Sequence, residues 1–166
     1  NPNRIFVTLD HHMYGDNSTY VVVTNDGGNS FTKFESEEFS GFAHIIREDI
    51  KTPSLLFLGT ESGFFISLNA GKTWMRSKYQ NLPWYSLVRD IKIHPATNDL
   101  VIATHGRGVY IIDNIQPLRE MVQSDLSKPF LFYPIQPFKY EFGAQYPQSA
   151  PNLIGYAGAS KSLALV

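Results

Sequence analysis

Two stretches, "TNDGGNSF" (residues 24–31) and "SLNAGKTW" (residues 67–74), share the pattern Ser/Thr-x-Asp/Asn-x-Gly-x-Ser/Thr-aromatic, and Asp26 lies 43 residues before Asn69. Recurrence at such a spacing points to architecture before chemistry. Every position in the pattern has a local task. Asp26 or Asn69 accepts hydrogen bonds from backbone N–H groups a few residues on. Gly28 or Gly71 supplies a positive φ that a Cβ tolerates poorly. Ser30 or Thr73 bonds within the same loop, as Thr24 or Ser67 can at its start, and the aromatic residue, Phe31 or Trp74, restarts the next strand by packing. Asn69 keeps the acceptor oxygen without the charge, so the charge is not essential. The pattern reads as a turn rather than a ligand loop.

Working outward from the turns, strand-like runs fall into register. "RIFVTLD" (4–10), "SLLFLGTE" (54–61) and "DLVIATHG" (99–106) occupy one position, and Thr60 and Thr104 are 44 residues apart. After them come "YVVVTND" (20–26), "GFFISLN" (63–69) and "GVYIIDN" (108–114). Before the second and third lie "FAHIIRED" (42–49) and "VRDIKIHP" (88–95), and the two turns lead into "FTKFES" (31–36) and "TWMRSK" (73–78). Short strands joined by Gly, Asn and Pro turns, four to a repeat, describe the blade of a β-propeller. The expected fold is all-β: the last three strands of one blade, one full blade, and at least three strands of another. A ring of that kind needs more blades than this.

Composition narrows the function classes. Of 166 residues, 17% are charged and 14% aromatic, with 12 Phe and 9 Tyr, a bias that suits pleated, half-buried surfaces. Fourteen basic residues against 15 acidic leave a net charge of -1. That balance offers no electrostatic footprint for nucleic acid. No apolar run is long enough for a membrane-spanning helix. With no cysteine, thiolate metal sites and disulfides are excluded.

The third repeat departs from the pattern. After "IIDN" comes "IQPLREMVQSDL", where Leu118, Met121 and Val122 have helical spacing and Pro117 suits a first turn. The expected organisation is propeller blades over 1–116, a short helix with a docking linker or closing strand over 117–145, and the start of a further module over 146–166. Both ends read as cuts through a longer protein, which would leave the terminal blade faces apolar and uncovered.

The two turns, together with "LLFLGTESGFFISLNAGKTW" and "NDLVIATHGRGVYIIDN", resemble the BNR/Asp-box repeat propellers, in particular the sialidase-like, sortilin-N-terminal-like bacterial proteins labelled glycosyl hydrolases. The resemblance covers about residues 1–118. It implies the C-terminal blades of a multi-bladed propeller in a secreted or periplasmic protein. It does not imply one activity, because such propellers include sialidases, xyloglucanases and sorting receptors. The expected function is a non-catalytic scaffold or a platform for protein or glycan. The alternative is part of a glycoside hydrolase whose catalytic carboxylates lie mainly on other blades.

Glycoside hydrolysis requires two carboxyl groups flanking a sugar. Asp10, Glu48, Asp49, Glu61, Asp90 and Asp99 are the possible members; none stands in a motif that singles it out, and Asp99 reads as a turn residue. Arg47, Arg89 and Arg107 lie on equivalent or adjacent blade elements and offer anion-binding forks. "THGRG" is the most loaded loop: Thr104, His105 and Arg107 form a candidate ligand loop, with glycines that permit close backbone approach. In "LDHHMYGD", His11 and His12 would point to opposite faces of a strand, while Asp10 and His12 could share a ligand. They lack a third partner, so no metal or cofactor is expected. Asn17 opens an "NST" sequon, better used as a polar loop.

Overall fold

The computed structural model describes residues 1–78 and 82–126. Within them ten strands form three antiparallel sheets. Sheet 1 has the order β1-β2-β3, from β1 (Ile5–His11), β2 (Asp16–Thr24) and β3 (Thr32–Lys33). Sheet 2 runs β4-β5-β6-β7, from β4 (Ala43–Glu48), β5 (Leu56–Thr60), β6 (Phe64–Ser67) and β7 (Met75–Arg76). Sheet 3 runs β8-β9-β10, from β8 (Val88–Ile93), β9 (Leu100–Thr104) and β10 (Val109–Ile112). Each sheet is a meander in sequence order, so every strand pairs with its chain neighbour and the register is set by short turns. A single α-helix among the described residues, α1 (Gln116–Gln123), follows β10. It starts beside Pro117, as the sequence suggests. The segment over 42–49 is strand throughout its ordered core.

The apolar runs explain the packing. Every residue of β5 and β6 is buried, which an antiparallel sheet achieves only when both faces are covered. One face sends Phe57, Phe64 and Ile66 into a core shared with Val88, Ile91, Leu100 and Ile102 of sheet 3. The other sends Leu56, Leu58 and Phe65 into a core shared with Val21 and Val23 of sheet 1 and with Phe34, just after β3. The sheets therefore stack in chain order with sheet 2 in the middle. At Gly59 the backbones come close: a Cβ there would meet Val88 Cγ1 at 2.5 Å and Ile45 Cγ2 at 2.9 Å. Glycine is the residue that lets Val88 seat between the sheets.

The outer faces of the stack are apolar and open. On sheet 1, Ile5 and Leu9 are 44% and 50% exposed; on sheet 3, Val109 and Ile111 are 63% and 56% exposed. Helix α1 lies on the core between sheets 2 and 3 through Leu118 and Val122. The anticipated docking linker, closing strand and further module fall outside the described residues.

Candidate functional site

Antiparallel pairing sorts the connections onto two ends of the stack. At one end lie the β6–β7 turn, the β2–β3 turn and helix α1. At the other lie three hairpin connections: residues 12–15, 61–63 and 105–108.

At the first end the two turns have matching hydrogen bonds. Asp26 Oδ1 accepts from the Ser30 amide at 3.0 Å and the Thr24 hydroxyl at 2.6 Å, and Thr24 Oγ1 accepts from the Gly28 amide at 2.9 Å. In the second turn, Asn69 Oδ1 accepts from the Thr73 amide at 2.8 Å and the Ser67 hydroxyl at 3.1 Å, and Ser67 Oγ accepts from the Gly71 amide at 2.9 Å. Both place two successive residues at positive φ, Gly27 and Gly28 in one and Ala70 and Gly71 in the other. The hydroxyls of Ser30 and Thr24 and the Ser30 amide hold the Asp26 carboxyl well below its usual range. The aromatic positions differ. Trp74 is buried and donates from Nε1 to the Gly71 carbonyl at 3.1 Å. Phe31 is 54% exposed, so it does not restart its strand by packing. Phe34 fills that place, packing its ring 5.7 Å from that of Trp74; a Cβ on Gly71 would meet Phe34 Cε1 at 2.4 Å.

The same end carries a buried ion pair that the sequence did not announce. Arg119 of α1 reaches Asp49 with two parallel bonds, 2.9 and 2.7 Å, and its Nη1 donates to Asn98 Oδ1 at 2.6 Å. Asp49 also accepts from the amides of Lys51 and Thr52. These partners answer the charges on both sides and fasten α1 to the loops after β4 and β8.

The opposite end is where titratable groups converge. The strand register slips at three places, between Leu9 and His11, Ala43 and Ile45, and Val88 and Asp90. The residues at the slips are Asp10, His44 and Arg89. A bulge re-aims a side chain and recurs next to functional sites. Here two of the three meet, with Glu61 beside them: His44 Nε2 lies 3.2 Å from Glu61 Oε2, and Arg89 Nη1 lies 3.3 Å from His44 Nδ1. Because the guanidinium can only donate, Nδ1 is the acceptor and Nε2 carries the proton towards Glu61. Asp10 Oδ1 contacts His12 Nδ1 at 2.5 Å. The His12 ring stacks on Phe42 at 4.5 Å, and Phe42 meets His44 edge-on at 4.9 Å. The His12 amide and ring hold the Asp10 carboxyl below its usual range.

The other candidates are placed as follows. Glu48 pairs with Arg4 at 2.6 Å, and Asp90 takes Arg47 at 3.4 Å while Arg47 Nε donates to the Ile91 carbonyl. Asp99 accepts from the Asn114 amide and the Thr97 hydroxyl, the turn role expected of it. In "THGRG" the Thr104 amide and hydroxyl both donate to the Gly108 carbonyl, at 3.1 and 2.7 Å. His105 and Arg107 are exposed beyond that closure. Gly106 and Gly108 have φ of 78° and 84°, and nothing lies within 4 Å of a Cβ at either. They serve the backbone conformation rather than a close approach. His12 sits in a single 3-10 turn, His12–Tyr14, instead of on a strand, and His11 stacks on Tyr14 at 4.7 Å. Asn17 lies on β2 rather than in a loop. Among the described residues no three His, Cys, Asp or Glu side chains are grouped to hold a metal ion, and no helix is long and apolar enough to cross a membrane.

His44 is the residue sequence reading passed over. Its one signal is periodic: it stands 45 residues before Arg89 at the start of an equivalent strand. Compared with protein-family models the chain has no match, and it has none among curated proteins.

Proposed function

We propose that the chain is a run of three consecutive blades of an Asp-box β-propeller, acting as a non-catalytic binding platform for glycan or protein in an exported protein. Support for the architecture comes from three meander sheets stacked in chain order and from two turns with the same hydrogen bonds. Such stacking of blades that bury little alone is the propeller's principle.

The observation that carries the binding role is the convergence of Asp10, His44 and Arg89 from three register slips onto one end. Binding is favoured over hydrolysis because the groups answer one another: Asp10 is engaged by His12, and Glu61 and Arg89 by His44. A glycosidase needs one carboxyl acid and one carboxylate base or nucleophile facing a common sugar, and all six candidate carboxylates have partners within the chain.

The test is turnover on a panel of aryl glycosides, with sialosides and β-glucans included. The expected result is none above buffer. Turnover abolished by Glu61→Gln would replace the platform with a glycoside hydrolase that uses this cluster.

A further inference from the structure

Outside the His44 cluster, at the same end of the stack, two large rings from consecutive residues are exposed on the surface. Trp84 is 43% exposed and Tyr85 is 69% exposed. Neither is held by the apolar cores. Both are held by Arg76, whose guanidinium carbon lies 5.1 Å from the Trp84 ring centre, 5.5 Å from that of Tyr85 and 4.9 Å from that of buried Phe65. Arg76 Nη1 is fixed in turn by the Ser62 carbonyl at 2.9 Å and the Trp84 carbonyl at 3.2 Å. Gly63 makes room for it, since a Cβ there would stand 3.1 Å from that nitrogen. The Ser86 hydroxyl closes the loop onto the Pro83 carbonyl at 2.8 Å. The rings are thus set on a cation and pinned by three hydrogen bonds, so little ordering remains for a ligand to supply.

We infer that Trp84 and Tyr85 form a stacking platform for the pyranose rings of a glycan, an inference that rests on the platform reading above. The chemistry favours a sugar over a protein surface. A pyranose has a C–H face that packs on an aromatic ring and an edge of hydroxyls that need polar partners. Here the two rings have a polar surround: Lys78 Nζ lies 5.7 Å from the Trp84 ring centre. The hairpin that fixes Arg76 also presents Glu61, which contacts His44. A stable protein interface would instead bury roughly 800 Å² of surface on each partner, more than two rings provide.

The chain's two tryptophans make the test direct, because Trp74 is buried and Trp84 is not. The 166-residue protein is titrated with cellohexaose, chitohexaose and an oligogalacturonate, with acrylamide quenching and calorimetry as readouts. The expected result is protection of the quenchable tryptophan by one of these sugars. Trp84→Ala with Tyr85→Ala should weaken that binding at least tenfold at an unchanged melting midpoint, while Trp84→Phe should keep most of it. Sugar binding unchanged in the double variant would overturn the platform and leave the binding role standing elsewhere. Absence of binding to all three sugars, or Trp84 protection by a protein ligand alone, would overturn the glycan assignment as well.

Discussion

Asp26 and Asn69 occupy the same place in matching turns, one able to titrate and the other not. Asp26 is held below the ordinary carboxylate range by Ser30 and Thr24, and Asp16, ordinarily near 3.8, is held at about 2 by the Ser18 and Tyr20 side chains. A depressed carboxyl contributes stability that is complete above its unfolded pKa and lost as pH falls through the folded one. Sheet 1 should therefore weaken between about pH 4 and pH 2, whereas the turn at Asn69 should not respond. Urea midpoints of wild type and Asp26→Asn at pH 7, 4 and 2.5 test this: the acid loss should be smaller in the variant, and equal losses would remove Asp26 as a cause. Glycine positions separate by contact. Gly71→Ala should destabilise by about 1–3 kcal/mol more than Gly28→Ala, since overpacking adds to backbone strain only where Phe34 is in the way. Trp74→Ala, at a buried site, should cost about 3–5 kcal/mol. The turn residues were legible because each job is local. The difference between Phe31 and Trp74 was not, since it depends on Phe34 taking the space between sheets. His44 was hidden for the same reason: within "FAHIIRED" it reads as one position of a strand, and only the slip in register turns it towards Arg89.

Among the elements, the order of the strands was legible because each pairs with its chain neighbour. Their bounds were less so: β2 starts at Asp16, within the stretch expected to be a polar loop, and β3 and β7 are only two residues each. Helix α1 was equally plain from Pro117 and the spacing of Leu118 and Val122. Its inward charge was not. The partner of Arg119 is Asp49, 70 residues earlier, and no local pattern relates them. Removing one member of a buried ion pair leaves the other unanswered, so Arg119→Met should cost about 3–5 kcal/mol and loosen α1. Combining it with Asp49→Leu should cost less than the sum of the single changes, because the orphaned charge is gone. Denaturation of the four proteins of this cycle supplies the coupling; additive losses would mean that the pair does not fasten the helix.

For the molecule as a whole, sheet 2 has partners on both faces while sheets 1 and 3 each turn an apolar face outward. Uncovered faces of this kind seek a partner. The 166-residue chain should self-associate in light scattering at micromolar concentration, and Leu9→Lys with Ile111→Lys should shift it towards monomer. A monodisperse wild-type monomer would contradict that expectation. β10 is apolar at every position, so its sequence alone suggests burial on both faces, and only the structure shows Val109 and Ile111 exposed with Tyr110 and Ile112 half-buried. The pairing of ends across sheets likewise depends on the register slips. The 105–108 hairpin, closed by Thr104 and open around both glycines, has a further consequence. It is a graft point. A short foreign peptide spliced between Gly106 and Arg107 would be displayed at the end of the stack that carries the His44 cluster with the melting midpoint intact, whereas the same peptide spliced after Gly71 would push Phe34 out of its seat and unfold its host.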